Sequence, residues 1–197
     1  MLEIELKAVV DDVAARKERL VAAGATQTFS GRMLDLRYDT PERALAAADH
    51  VLRVRVYQSP EGETAQLDWK GVTRIESGLK AREEYTTGAS DLAGLTAILE
   101  ALGYVVTREI EREVWTYRVG EATVRFEHYP RMDDLVEVEG TPEAIERAIE
   151  QLGIERSAFS AERLLDFARR YEARTGARAA LCESELRGEY RYDLEQA

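Results

Sequence analysis

The 197-residue chain has a single cysteine, Cys182, and only two histidines, His50 and His128. One cysteine excludes an intrachain disulfide. Two histidines far apart in the sequence argue against a histidine-rich zinc site. We therefore expect any bound metal to be a hard cation held by carboxylate oxygens.

Long apolar runs are also missing. No stretch approaches the length of a membrane span, and charged residues begin at position 3, which leaves no room for a signal peptide. We therefore predict a cytoplasmic protein with no membrane partner. The net charge of −11 argues against non-specific binding of nucleic acid.

The composition suits one domain, because 45% of the residues are hydrophobic and can build a core. We place this domain at residues 1–175. The remaining tail, 176–197, shows no clear period, and we expect it to be loosely attached.

The first segment alternates apolar and charged residues, pairing Leu2, Ile4 and Leu6 with Glu3, Glu5 and Lys7. A period of two is typical of a half-buried β-strand. Two carboxylates about 7 Å apart on one face, followed by an ammonium, could hold a metal ion and a phosphate. Taken alone, the segment favours the simpler interpretation, an edge strand with a solvated charged face.

Later segments repeat this pattern. Strands are predicted near 33–38, 51–57, 65–70, 82–86, 105–110, 113–119, 122–129 and 135–139, and a polar loop at 71–78. Helices are predicted near 12–23, 90–103, 141–153 and 160–174. Glu5 precedes Gly24, and Glu84 precedes Gly103, by the same interval, which indicates a weak internal repeat. Many strands with short connections favour an α+β barrel over a doubly wound parallel sheet.

Sorting the strand residues by parity collects charged side chains on one face and apolar side chains on the other. The charged face contains Glu3, Glu5, Lys7, Arg53, Arg55, Asp68, Lys70, Arg82, Glu84, Arg112, Arg125, Glu127, Glu137 and Glu139. The apolar face of a small barrel usually turns inward. Here we predict the reverse, with the charges inside and helices covering the apolar face outside.

Charges of both signs inside a closed barrel are costly to bury unless they are paired. They suit a ligand with several phosphates, bound by arginine and lysine, together with divalent cations held by glutamate. A solvated sheet face with cross-strand ion pairs remains the structural alternative.

An ordered set of motifs supports the ligand-binding interpretation. It comprises Glu3-x-Glu5-x-Lys7, Asp35-x-x-Tyr38-Asp39-Thr40, Leu52-Arg53-Val54-Arg55, Trp69-Lys70-Gly71, Lys80-x-Arg82-x-Glu84 and Val136-Glu137-Val138-Glu139. In these motifs, over residues 2–171, the chain resembles the CYTH superfamily, the triphosphate tunnel metalloenzymes. The resemblance implies a closed eight-stranded antiparallel β-barrel, a tunnel open to solvent, with helices packed outside.

The resemblance also implies roles for particular residues. The triphosphate would be bound by Lys7, Arg53, Arg55, Lys70, Arg82 and Arg112, with Arg125 and Arg163 as additional candidates. Mg²⁺ or Mn²⁺ would be held by Glu3, Glu5, Glu137 and Glu139, with Glu84 and Glu127 as further candidates. The candidate catalytic residues are Glu5, Lys7 and Lys70.

The chain departs from the family pattern at several of these positions. Glu127 stands where the family usually has aspartate, and its longer side chain could still reach a metal. Ile110 stands where the family has a lysine, two positions before Arg112, and Arg108 or Arg125 could compensate for it. These departures bear on the substrate rather than on the phosphate chemistry.

Three functions follow from the resemblance. The first is metal-dependent hydrolysis of a triphosphate-bearing small molecule, such as tripolyphosphate, ATP or thiamine triphosphate. The alternative is a class IV adenylyl cyclase that converts ATP to cyclic AMP and pyrophosphate, and a third is a polyphosphate-binding module without turnover. The sequence leaves a homodimer open.

Overall fold

Nine strands are present in the computed structural model, which describes residues 2–192. They are β1 (Leu2–Val9), β2 (Thr26–Asp39), β3 (Val51–Ser59), β4 (Gly62–Lys70), β5 (Arg74–Glu76), β6 (Leu79–Ala89), β7 (Val105–Val119), β8 (Ala122–His128) and β9 (Leu135–Glu139). Around the sheet the order is β1-β9-β8-β7-β2-β3-β4-β6, and β6 pairs back with β1. All of these pairings are antiparallel. Eight strands therefore close into the predicted barrel, and β5 adds a short outer strand beside β6.

The strand order repeats between the two halves of the chain. β1 to β4 correspond to β6 to β9, and in each half the first strand is followed by a helix. Strands of the two halves pair at four places, β1 with β6, β1 with β9, β2 with β7 and β4 with β6. The internal repeat seen in the sequence thus corresponds to a real repeat in topology.

Six α-helices are present among residues 2–192: α1 (Val13–Ala22), α2 (Ala44–Ala47), α3 (Leu92–Ala101), α4 (Pro142–Leu152), α5 (Leu164–Thr175) and α6 (Glu183–Leu186). The start of α4 follows from its sequence, because Thr141 caps the helix and proline occupies its first turn. Gly153 ends α4 with a φ of +66°, a conformation that favours glycine. No helix in the described range is long and apolar enough to cross a membrane.

Three sequence predictions are wrong in detail. The strands predicted at 105–110 and 113–119 are one strand, β7, because β2 pairs along nearly all of it. The loop predicted at 71–78 contains β5. The last long helix begins at Leu164 rather than near Ser160, because Ser160 forms a β-bridge with Lys7.

The main core lies outside the barrel, between its apolar outer face and the helices. Leu6 of β1, Phe126 of β8 and Val138 of β9 pack with α4 residues such as Ile145 and Leu152. All five are fully buried. This packing uses the apolar parity of the strands, so the charged parity faces inward, as predicted.

The C-terminal tail is packed, which corrects the expectation of loose attachment for its described part. Ala179 and Leu181 belong to a second core cluster with Phe167 of α5 and Ile110 of β7. Farther on, Glu185 is buried and lies 2.9 Å from Arg108 Nη1. Residues 193–197 lie outside the described range.

This packing predicts a stability effect for the tail. Leu181 is fully buried, so Leu181→Ala should lower the free energy of unfolding by about 2–3 kcal/mol, the low end of the range for leucine truncation in a core. Chemical denaturation at equilibrium would measure it. The control is Leu186→Ala, because Leu186 is 40% exposed. Equal stabilities for the two variants would contradict a packed tail.

Candidate active site

The barrel encloses a cavity into which most of the predicted site residues project. Of the predicted set, the side chains that line it are Glu5, Lys7, Arg53, Arg55, Lys70, Arg82, Arg112, Arg125, Glu127, Glu137 and Arg163. The other three, Glu3, Glu84 and Glu139, do not line it but lie on the same parity of their strands. In particular, Arg53 and Arg55 both face the interior, as their alternation with apolar residues predicted.

The lining is strongly cationic. Twelve arginine and lysine side chains face the cavity, against six aspartate and glutamate side chains. The whole chain, in contrast, has a net charge of −11. Positive charge is therefore concentrated inside the barrel, where low-dielectric walls strengthen its attraction for an anion.

Asp35 of β2 organises the centre of this lining. Its carboxylate accepts two hydrogen bonds from Arg55, from Nε at 2.6 Å and from Nη2 at 2.9 Å. It also accepts one from Arg112 Nη2 at 2.9 Å and lies 3.4 Å from Arg53 Nη1. Burial opposes ionisation, but the three guanidinium groups hold the pKa of Asp35 well below its usual range. One carboxylate thus holds three arginines in fixed positions.

Asp68 of β4 plays a similar part for Arg53. It accepts hydrogen bonds from Arg53 Nε at 2.9 Å and Nη2 at 2.5 Å. Gln66 and Thr86 each donate to its other oxygen at 2.9 Å. Arg53 is therefore oriented by a fully hydrogen-bonded carboxylate.

Glu5 and Lys7 of β1 lie in an alternating chain of charges. Lys80 donates to Glu5 at 2.5 Å, and Lys7 lies 3.3 Å from the other Glu5 oxygen. Lys7 also contacts Glu137 of β9, which is paired in turn with Arg125 of β8. Burial opposes ionisation of Glu5, but Lys7 and Lys80 keep its pKa well below the usual value.

Glu127 holds arginines in this structure. It lies 3.1 Å from both Arg112 Nε and Arg125 Nε, and Tyr129 donates to it at 2.6 Å. Although burial works the other way, Arg112 and Arg125 lower the pKa of Glu127. A metal-binding role for Glu127 remains a prediction.

A group of glutamates lies where β1, β6 and β9 meet. Glu3 accepts from Lys70 Nζ at 2.7 and 2.5 Å, and Glu84 lies 3.3 Å from the same nitrogen. The Glu139 side chain has no hydrogen-bond or ion-pair partner among residues 2–192. Burial, followed by the charges of Glu3 and Glu5, raises its pKa.

These carboxylates are hard oxygen donors of the kind that Mg²⁺ and Mn²⁺ prefer. The like-charge strain on Glu139 is what a nearby cation would relieve. Within the described residues, however, no three carboxylate, histidine or cysteine side chains are already arranged around one point. The chemistry of these donors is that of a divalent-cation site, although Glu3 is paired with Lys70 in this structure.

Arg82 and Arg163 line the cavity and both contact Asp49. Arg82 lines the cavity, but its Nε donates to the Gly71 carbonyl at 2.7 Å and its Nη2 to the Asp49 carbonyl at 2.6 Å. Arg163, at the start of α5, lies 2.9 Å from an Asp49 carboxylate oxygen and is half exposed. Arg82 therefore holds the backbone in place at Gly71 and Asp49. The phosphate-binding role predicted for Arg82 and Arg163 stays a prediction.

Sequence reasoning assigned no role to Asp35, Lys80 or Tyr129, all of which line the cavity. Two of them carried a usable signal. Lys80 alternates with Arg82 and Glu84 in one strand, and Asp35 alternates with Arg37 in β2. The signal for Tyr129 was weaker: it lies two positions beyond Glu127 in the strand predicted at 122–129, although it follows the end of β8 in the structure.

The chain belongs to the CYTH family: the model of the CYTH domain matches residues 1–173. A "putative adenylate cyclase" from Vibrio parahaemolyticus superposes with a TM-score of 0.73 at 20% identity, over 85% of this chain and 97% of that one. The PH1819 protein from Pyrococcus horikoshii OT3 superposes with a TM-score of 0.70 at 22% identity, over 83% and 96%. These similarities support the tunnel fold.

The protein HpAC1 from Hippeastrum, described as a putative adenylyl cyclase with a dominant triphosphatase activity, also has this fold. Its TM-score is 0.60 at 18% identity, over 93% of this chain and 98% of that one. A search of curated proteins found no match to this chain.

Proposed function

We propose that the protein is a metal-dependent triphosphatase that binds a triphosphate-bearing small molecule inside the barrel and hydrolyses it. The observation that carries this proposal is the preorganised cluster of Arg53, Arg55 and Arg112 around Asp35. Arginine presents a planar set of donors that matches phosphate oxygens, often two at a time. Because the guanidinium groups are already fixed, little side-chain entropy is lost when the ligand binds.

Hydrolysis forms a bond between a water oxygen and the terminal phosphorus and breaks the bridging P–O bond. The diphosphate part of the substrate, which is pyrophosphate when the substrate is tripolyphosphate, then leaves with the electron pair of that bond. Arg53, Arg55 and Arg112, with Lys7 and Lys70, would bind the phosphate oxygens and stabilise the charge that develops on them. The barrel walls exclude bulk water, which strengthens these interactions.

The glutamates at the junction of β1, β6 and β9 would hold Mg²⁺ or Mn²⁺. Glu3 and Glu5 lie on one face of β1, and Glu139 of β9 lies opposite Glu5. Glu137 lies on the same face of β9 as Glu139. When bound, a divalent cation neutralises charge on phosphate oxygens and can lower the pKa of an attacking water. In that state Lys70, released from Glu3, would be free to bind phosphate.

The family also supports a second candidate, a class IV adenylyl cyclase. Among the structural neighbours, the Vibrio protein carries that name, and HpAC1 carries both activities in its description. Tyr38, His50 and Leu164 line the cavity beside its charged part and offer apolar and aromatic surface to a nucleobase. The ribose 3′-hydroxyl would then replace water as the nucleophile.

Product analysis separates the candidates. Purified protein would be incubated with tripolyphosphate, ATP or thiamine triphosphate and Mg²⁺ or Mn²⁺, and orthophosphate, pyrophosphate and cyclic AMP would be separated. We expect tripolyphosphate to yield orthophosphate and pyrophosphate at least as efficiently as ATP is consumed. The Glu5→Gln variant, purified in the same way, controls for contaminating phosphatases.

Two other results would overturn the proposed function. Cyclic AMP as the main product of ATP, with tripolyphosphate acting only as an inhibitor, would establish the cyclase. Tight binding of tripolyphosphate without any product would indicate a polyphosphate-binding module.

A further inference from the structure

Three arginines form a row across the inner wall of the barrel. The strand register places Arg37 of β2 directly opposite Arg53 of β3 on one side and Arg108 of β7 on the other. All three line the cavity. Like charges directly opposite each other on one face of a sheet are unfavourable unless something compensates them.

The row is compensated unevenly. Arg53 is paired with Asp68 and Asp35. Arg108 has one ion pair, with Glu185, which lies beyond the residues matched by the family model. Within residues 2–192, the Arg37 side chain has no hydrogen bond and no ion pair. The uncompensated positive charge therefore lies at Arg37, and Arg108 is compensated by a single carboxylate at one end of its guanidinium group.

Several buried donors in this row have no partner. They are Nε of Arg37 and both Nε and Nη2 of Arg108, and Arg108 is only 1% exposed. A buried donor without an acceptor costs about 1–3 kcal/mol, and more when it is charged. Folded proteins leave few such groups, and those that exist require an explanation.

The electrostatics agree with this picture. Burial, followed by the charge of Arg53, lowers the pKa of Arg37 to about 10. Burial also lowers the pKa of Arg108, against the effect of Glu185. Both guanidinium groups are thus charged but poorly stabilised. An anion beside them would offset the cost of burying their charge.

Arg53 is one of the arginines assigned to the triphosphate, whereas Arg37 and Arg108 lie to one side of Arg55 and Arg112. Arg37 is two residues beyond Asp35 in β2, which places it about 7 Å farther along the strand. On β7, Ile110 separates Arg108 from Arg112. It lines the cavity opposite Asp35 and also packs in the second core cluster, whereas Arg108 lies one pair farther along, opposite Arg37. Arg108 therefore does not replace the family's lysine at position 110, but belongs to a separate group with Arg37.

We propose that Arg37 and Arg108 form a second oxyanion subsite in the tunnel, next to the triphosphate site, which binds a phosphate group. Two sources could supply that group: the next phosphate of a linear polyphosphate longer than three units, or a free orthophosphate. Binding of a longer polyphosphate rests on the proposed function, whereas binding of free orthophosphate does not.

Binding measurements test the subsite without relying on turnover. Isothermal titration calorimetry in a chelating buffer would compare tripolyphosphate with tetrapolyphosphate. Charge-assisted hydrogen bonds to one more phosphate should make the wild-type protein bind tetrapolyphosphate about tenfold more tightly, or better. Arg37→Gln should bring the ratio of the two affinities close to one.

Arg37→Gln should change the affinity for tripolyphosphate itself by about fivefold at most, the scale of a weak charge effect. The matched control is Arg118→Gln, because Arg118 is an exposed arginine of β7 and should keep the wild-type ratio. A double variant, Arg108→Gln with Glu185→Gln, removes both members of the buried pair and should lose the preference as Arg37→Gln does.

Orthophosphate distinguishes the two sources. If the subsite takes a free anion, orthophosphate should bind at one site per chain to protein saturated with tripolyphosphate, and Arg37→Gln should abolish this binding. Equal affinities for the two polyphosphates together with no orthophosphate binding would overturn the subsite. If tripolyphosphate itself does not bind, the proposed function fails, while the orthophosphate titration of the free protein still decides whether the subsite exists.

Discussion

Replacing Asp35 with alanine should lower the free energy of unfolding by about 3–5 kcal/mol, the usual cost of removing one partner from a buried charge cluster. Asp35 is 1% exposed and forms ion pairs with Arg53, Arg55 and Arg112. Without its carboxylate, Arg55 would lose its ion pair, and Arg53 and Arg112 would keep Asp68 and Glu127 but lose the negative charge that lies between the three guanidinium groups. Urea unfolding at equilibrium, followed by circular dichroism, would measure the change.

The control for this prediction is Asp11→Ala. Asp11 pairs with Arg16 on the surface, with its side chain 76% exposed, so its loss should change the free energy of unfolding far less than the loss of Asp35. Tripolyphosphate should also raise the melting temperature of Asp35→Ala more than that of the wild-type protein, because the ligand would supply the missing negative charge. An Asp35→Ala variant as stable as Asp11→Ala would show that the cluster is not organised by Asp35.

Replacing Glu5 with glutamine should reduce turnover of tripolyphosphate by at least about 100-fold, the scale expected when a metal site is lost. Glutamine preserves the shape of the side chain but removes the charge that attracts a cation. Glu5 is 5% exposed and lies between Lys7 and Lys80, so the substitution also leaves two ammonium groups with less compensation.

Two further measurements separate these effects. Calorimetric titration with Mn²⁺ should show weaker metal binding for Glu5→Gln, whereas a purely structural defect would appear as a lowered melting temperature. Glu113→Gln serves as the matched control, because Glu113 is an exposed glutamate of β7. Near-normal turnover in Glu5→Gln would remove Glu5 from the proposed metal site.

Much of the barrel could be predicted from the strands themselves. Alternation of Arg53 and Arg55 with Leu52 and Val54 specifies two faces, because successive side chains in a strand point to opposite sides. Since almost every strand carries charges on one parity, a single arrangement, charges inside and helices outside, satisfies them together. The helix caps Asp12 and Thr141 were predictable for a similar reason, since capping depends on residues close in sequence.

The structure of the tail was not predictable in this way. Ala179, Ala180 and Leu181 do not form a periodic pattern, and small residues carry little signal on their own. Their burial depends on the surface that α5 and β7 present to them, which is a long-range property of the fold. The same holds for Arg108 and Glu185, which are far apart in sequence and joined only by packing.

The sequence by itself determined which face of each strand carries the charged side chains, because the period of two fixes the face of each strand residue locally. Only the tertiary structure decided their partners. Asp35 meets Arg55 and Arg112 because β2 lies between β3 and β7, and Glu3 meets Lys70 because β6 brings β1 and β4 together. Strand order and register arise from closure of the whole sheet, so neither the arginine cluster around Asp35 nor the unpaired Arg37 could be predicted from the spacing of residues along the chain.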